Sequence, residues 1–267
     1  TTARPTTASA AATVMTKKTI TCPSICPISL ARATKVRLAA LSMSSTAITS
    51  NSRKLAAPFP YFGGKGRIAP LVWQRFGAVC NYVEPFFGSG AVLLQRPTSF
   101  AGSETVNDLD GLVTNFWRAV QQAPQEVAAW ADWPVNEIGL YARHKRLIEW
   151  RLPLTERLRA DETYFDARAA GWWVWGISQW IAGGWCRELV CKALPHLSTT
   201  GTGIHRISLK RPHLRRRDRL NAAAPLFKYF ERLAERLRYV RVCCGDWLRV
   251  CGAAPTYLHG PTAVFLD

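Results

Sequence analysis

Glu84, Gly88, Gly90 and Asp108 are the residues whose types and spacing best suit the capture of a charged small ligand. Glu84 closes a short aromatic and β-branched run, Asn81-Tyr82-Val83-Glu84. The turn Gly88-Ser89-Gly90 then leads into an apolar pattern that reads as a helix from Ala91 to Arg96. Glycines at 88 and 90 let backbone amides approach a ligand with no Cβ in the way, and Glu84 at the strand end can meet a cationic group. Asp108 lies 18 residues beyond Gly90, after a second short strand at Glu104 to Asn107. A doubly wound sheet places an acid on a ribose at about that point, so the set reads as a site for an adenosine-containing cofactor. A dinucleotide-dependent dehydrogenase is disfavoured, because Gly88-Ser89-Gly90 lacks the third glycine at its proper spacing.

Two other loops carry residues of the same kind. Pro58 to Arg67 sets aromatics ahead of Gly63-Gly64-Lys65, and the helical Ile68 to Phe76 follows, so Lys65 would bring a positive charge to a ligand. Gly-Gly-Lys is not a Walker loop, since the four-residue spacer and the following Ser or Thr are missing. Gly245-Asp246-Trp247 follows the strand-like Tyr239 to Cys244, at the carboxyl end where open α/β sheets contact ligands. Asp246 can accept from an adenine amino group and Trp247 can cover the ring face, while helix capping stands as an equal reading of Asp246. Thr262 to Asp267 reads as a buried parallel strand ending in a carboxylate.

Holding these loops requires strands alternating with helices, an α/β sheet of Rossmann-like type. Leu112, Val113, Phe116, Trp117 and Val120 have the spacing of a helix's core face. The alternation holds over residues 55–120, is lost over 121–220 and returns over 221–267. We therefore expect one sheet domain in two parts, interrupted by a mainly helical insertion. Within the insertion, Glu137 to Trp150 and Tyr164 to Ile181 read as helices. Gly171 to Trp180 contains four tryptophans, better suited to a helical core than to a base-stacking surface. Residues 222–238 form an amphipathic helix with Leu226, Phe227, Phe230, Leu233 and Leu237 on one face.

The chain carries 35 Lys and Arg against 18 Asp and Glu. Eight of the basic residues and none of the acidic ones fall in residues 1–54, so a basic excess survives on the remainder. That excess implies a polyanionic partner, nucleic acid before membrane. No apolar run approaches the roughly 18 residues needed to cross a bilayer. The basic residues concentrate in a glycine-flexed turn with His205 and Arg206, followed by Lys210, Arg211, Arg215, Arg216, Arg217 and Arg219. Such a cluster repels itself unless phosphates lie alongside, and Arg can also read guanine edges.

Residues 1–54 are Ser-, Thr- and Ala-rich without periodicity, the composition of a disordered segment. They also resemble an organellar transit peptide, or an extension upstream of a true start at Met43. None of the eight cysteines forms a Cys-x-x-Cys pair, and reduced thiols are expected. Cys186, Cys191 and His196 have loosely ligand-like spacing, but no fourth ligand is evident and no metal is expected.

Taken in order, these pieces resemble the DNA adenine methylase family of adenine-specific DNA methyltransferases, in a phage or prophage-like branch. The resemblance rests on Tyr61-x-Gly63-Gly64-Lys65, the Glu84-Pro-Phe-x-Gly-x-Gly90 loop, Asn107-Asp108-x-Asp110, Gly245-Asp246-Trp247 and the strand reaching Asp267. It covers residues 58–267. It implies S-adenosylmethionine as cofactor, with Tyr61, Gly63, Gly64, Lys65, Glu84, Phe86, Gly88 and Gly90 around its methionine end. Asp108 would then hold the ribose and Asp246 with Trp247 the adenine. Asp267 matches the first residue of the family's catalytic Asp-Pro-Pro-Tyr, and Pro-Pro-Tyr is not in this sequence, so little catalysis is expected from the 267 residues alone.

Double-stranded DNA is the implied partner, in a cytoplasmic, nucleoid-associated setting. A cognate restriction endonuclease acting on the same site is a further partner that the resemblance admits. A decayed methylase that only grips DNA is the alternative reading.

Overall fold

The computed structural model describes residues 55–61, 63–181, 184–187 and 223–267. Its elements run α1 (Ala69–Phe76), β1 (Asn81–Glu84), a 3-10 turn (Leu93–Gln95), β2 (Ser103–Asp108), α2 (Gly111–Gln122), α3 (Pro124–Ala131), α4 (Glu137–Ala160) and α5 (Ala167–Gln179). After the undescribed segment come α6 (Ala223–Leu237), β3 (Arg241–Cys244), the single turn α7 (Leu248–Cys251), a second 3-10 turn (Tyr257–His259) and β4 (Thr262–Val264).

The four strands form one parallel sheet in the order β3-β2-β1-β4. This mixed α/β architecture with its parallel sheet is of the Rossmann-like type expected from the sequence. Chain order advances outward on one side of β1 and resumes on the other, so the connections diverge between β1 and β4. Open parallel sheets take their ligands in the crevice that such a divergence leaves at the strands' carboxyl ends.

Local chemistry starts the helices where they start. Asp110, Asn136 and Asp166 cap α2, α4 and α5, their side-chain oxygens accepting from the amides of Leu112, Gly139 and Ala169 at 2.9, 2.6 and 2.8 Å. Proline stands in the first turn of α1 and of α3, where its missing N–H costs nothing.

Apolar faces then assemble the layers. Leu226, Phe230, Leu233 and Leu237 of α6 are buried in the same core as Leu112, Phe116 and Val120 of α2. Each such side chain contributes roughly 1.5–3 kcal/mol when fully buried. Gln121 Nε2 donates to the carbonyls of Leu237 at 2.8 Å and Val240 at 2.9 Å, satisfying the carboxyl end of α6 where it turns into β3.

Trp173, Trp175 and Trp180 are buried, as a helical core requires. Phe59 binds the amino-terminal loop to that core. Its ring lies 4.8 Å from Trp173 and 5.3 Å from Phe116 in edge-on geometry, two residues ahead of Tyr61.

Three element readings are corrected. The helix expected over Ala91 to Arg96 is only a 3-10 turn at Leu93–Gln95. Pro97 forces Arg96 to extended backbone, φ −48° and ψ 137°, and leaves no room for a second turn. The helix expected to end at Trp150 runs on to Ala160 through Pro153, because Leu154 and Leu158 continue the buried face. The expected helix Tyr164 to Ile181 is shorter, Ala167–Gln179, because Asp166 caps it late.

Candidate functional site

A cleft of about 300 Å³ opens at the carboxyl ends of β1, β2 and β4. Nine of the residues singled out in the sequence line it. Tyr61, Gly63, Gly64 and Lys65 come from the loop ahead of α1, Glu84, Phe86 and Gly88 from the exit of β1, Asp108 from the end of β2, and Asp267 from beyond β4.

The glycine turn is fixed from three sides. Gly88 and Gly90 have φ of +47° and +66°, backbone that side-chain-bearing residues rarely adopt. Trp117 Nε1 donates to Gly88 O at 2.9 Å, and Asp108 Oδ2 accepts from Gly88 N at 2.9 Å. The Tyr61 ring lies so close over Gly88 that a Cβ there would sit 2.7 Å from it. Gly90 is needed for a different reason. A Cβ would meet Phe87 at 2.8 Å, and Gly90 is not among the residues that line the cleft.

The electrostatics of the cleft call for a cation. Glu84 is 3 % exposed, and its Oε2 accepts from Tyr82 Oη at 2.7 Å. Burial pushes its carboxyl up to about 8, with the hydrogen bonds from Tyr82 and the Leu93 backbone opposing and the nearby Asp267 and Asp108 reinforcing the rise. Burial likewise pushes Asp108 up to about 6, against backbone amides that favour its ionised form. Its Oδ1 accepts from Asp110 N at 2.9 Å, and the Leu109 amide also favours the ionised form. Lys65 does not neutralise this set. Its Nζ is engaged by Asp267 Oδ1 at 2.5 Å and by Gly63 O at 2.8 Å, which ties the loop ahead of α1 to the strand end carrying Asp267.

The third loop reaches the same place by another route. Gly245 N donates to Asp108 O at 3.1 Å, setting Gly245-Asp246-Trp247 beside the end of β2. Trp247 and Phe86 are both partly exposed, their centroids 6.2 Å apart and their planes at 40°. They flank the mouth; neither Asp246 nor Trp247 belongs to the cleft wall itself. One oxygen of Asp246 accepts from Leu248 N at 2.8 Å in a turn-type bond, so the capping-like interaction is present and the second oxygen remains.

Asn107 had no separate role in the sequence. It is 1 % exposed, and its Nδ2 donates to Pro85 O at 3.0 Å and Gly245 O at 2.9 Å. One side chain thus ties the β1 and β3 exit loops together from the strand between them. Its position next to Asp108 was the only sequence signal. Phe265 also enters the cleft wall, a placement legible only once β4 is set beside β1.

The basic residues His205, Arg206, Lys210, Arg211, Arg215, Arg216, Arg217 and Arg219 lie outside the described residues, as do Cys191 and His196. Among the described residues no group of His, Cys, Asp and Glu is arranged to hold a metal ion, and no helix is long and apolar enough to cross a membrane.

No curated protein matches the chain. Residues 61–170 match a family model, that of the D12 class N6 adenine-specific DNA methyltransferases.

Proposed function

From the premise that residues 61–170 belong to the D12 class N6 adenine-specific DNA methyltransferase family, we propose that this chain binds S-adenosylmethionine in the cleft and serves methyl transfer to the exocyclic amine of adenine in duplex DNA. The observation that carries the reading is a cleft lined by two acids, Glu84 and Asp108, beside the glycine turn at Gly88. Glu84 is a buried and Asp108 a half-buried carboxyl, both held above their usual range, and Lys65 is committed to Asp267. A ligand bearing a sulfonium and an ammonium would set positive charge beside those acids.

The donor set fits such a ligand. Glu84 would face its cationic end, Asp108 would accept from ribose hydroxyls, and Phe86 with Trp247 would flank an adenine whose amino group Asp246 could accept from. Bound S-adenosylmethionine supplies an electrophilic methyl group on sulfur.

The remaining work falls to this chain's own groups. The target adenine must leave the duplex stack, at a cost of a few kcal/mol that phosphate contacts offset. Asp267 would accept a hydrogen bond from the amine and so orient its lone pair, and Lys65 fixes that carboxylate in place. Alignment and charge placement then lower the barrier without a general base of tuned pKa. Residues 121–220, between β2 and β3 in the chain, would carry target recognition, with the basic run 205–219 on phosphates and base edges.

The test is transfer of labelled methyl from S-adenosylmethionine to duplex DNA by a protein in which Asp267 is followed by Pro-Pro-Tyr. Asp267→Ala should abolish incorporation while cofactor binding persists, and undiminished turnover would remove Asp267 from the chemistry.

A further inference from the structure

The surface of α4 and α5 carries an alternation of arginine and tryptophan that the cleft does not use. Trp150 and Trp172 stack with centroids 5.5 Å apart and 9° between planes. The Arg168 guanidinium lies over both rings, at 5.0 and 5.4 Å, and Arg146 lies 5.9 Å from Trp150. Arg146 with Trp150, and Arg168 with Trp172, are each four residues apart on one helix, so each pair shares a helix face. Deeper in, Arg143 sits 5.4 Å from Trp172, 5.1 Å from Trp133 and 4.1 Å from Trp175.

Two properties separate this ladder from packing alone. The first is charge that is only partly compensated. Among the described residues Arg168 and Arg143 have no ion-pair partner, Arg143 Nη1 is buried with no acceptor, and only Arg146 has a carboxylate, Glu149 at 3.2 Å. Over its length α4 holds six basic residues against three acidic ones. The second is geometry. Stacking engages the flat face of a guanidinium and leaves its in-plane N–H groups to bond, and Arg146 and Arg168 are exposed. An arginine already held this way loses less freedom when it takes an anion.

Helix α4 also reaches the loop that follows β2. Arg151 of the same helix pairs with Asp110 Oδ2 at 3.0 Å, two residues beyond Asp108. Arg146 is five residues away on α4, about 7.5 Å of helix rise and about 140° around the axis.

We infer that Arg146 and Arg168, held on Trp150 and Trp172, form a phosphate-binding surface for duplex DNA, distinct from the basic run 205–219; this rests on the DNA methyltransferase reading above. The experiment measures affinity of the full 267-residue chain for a labelled duplex by fluorescence anisotropy over a salt series. The double variant Arg146→Gln/Arg168→Gln should bind more weakly and lower the slope of log affinity against log salt by about 0.9 for each phosphate no longer neutralised. Arg146→Lys/Arg168→Lys, which keeps the charge, should retain the slope.

Thermal melting of each variant accompanies the titration. If the Gln variant melts early, the Lys variant decides: a retained slope upholds the ladder, and a slope reduced in both overturns it. An unchanged slope in a folded Gln variant, with wild-type binding intact, overturns the ladder and leaves the methyltransferase reading standing. A wild-type chain that binds no duplex DNA overturns both.

Discussion

Glu84 shows how a functional residue can weigh against the fold that holds it. Its carboxyl ionises near 8 in the folded chain against 4.5 as the reference, so the folded state holds the proton longer than the unfolded one. The stability this gives is complete below about pH 4.5 and is lost progressively as pH rises to about 8. Glu84→Gln should therefore melt at a higher temperature than wild type near pH 8, with the gap closing toward pH 4.5. The same variant should lose affinity for S-adenosylmethionine. In wild type, a cationic ligand favours the ionised carboxylate, so affinity should rise with pH up to about 8 and binding near neutrality should release a proton. Calorimetry in buffers of different ionisation enthalpy reads that proton, and pH-independent binding would disconnect Glu84 from the ligand.

Asn107 and Gly88 make sharper geometric predictions. Asn107→Asp keeps the shape but puts carboxylate oxygen against the carbonyls of Pro85 and Gly245. It should lower stability by about 1–3 kcal/mol in urea unfolding and weaken cofactor binding, as the β1 and β3 exit loops come apart. Gly88→Ala adds a Cβ 2.7 Å from the Tyr61 ring at a backbone angle that alanine resists. A loss of about 1–3 kcal/mol in S-adenosylmethionine affinity, with far-ultraviolet dichroism unchanged, is expected.

At the scale of elements, the strands were legible to within a few residues because short apolar or β-branched runs end at glycine or at an acid, as at Glu84, Asp108 and Gly245. Helix lengths were less so. Pro153 reads as a stop, yet its missing N–H orphans only the carbonyl of exposed Glu149, while Leu154 and Leu158 keep the next turns buried. The α2–α4 crossing was invisible in the sequence, since it depends on Gly111 meeting Thr155. A Cβ at 111 would lie 1.9 Å from Thr155 Oγ1. Gly111→Ala should cost about 1–3 kcal/mol of stability, partly relieved by Thr155→Ala, which removes the nearest atom; chemical denaturation of the single and double variants checks this.

The scale of the whole molecule is where the cleft's residues acquire their meaning. Tyr61, Lys65, Glu84, Gly88 and Asp108 were legible because glycine and charge at strand ends are chemically conspicuous. Phe265 and Asn107 were not, because an apolar or amide side chain declares a role only once strand order places it. The order β3-β2-β1-β4 brings together residues more than 200 positions apart, Tyr61 and Asp267 among them. The same order leaves both acids and the glycine turn at the divergence beside β1.

Titration of the 267-residue chain with S-adenosylmethionine, beside Asp108→Ala, tests this convergence most directly. Saturable one-to-one binding to wild type, abolished in a folded Asp108→Ala variant, is the predicted result. Failure of wild type to bind, or undiminished binding by the variant, would contradict the account.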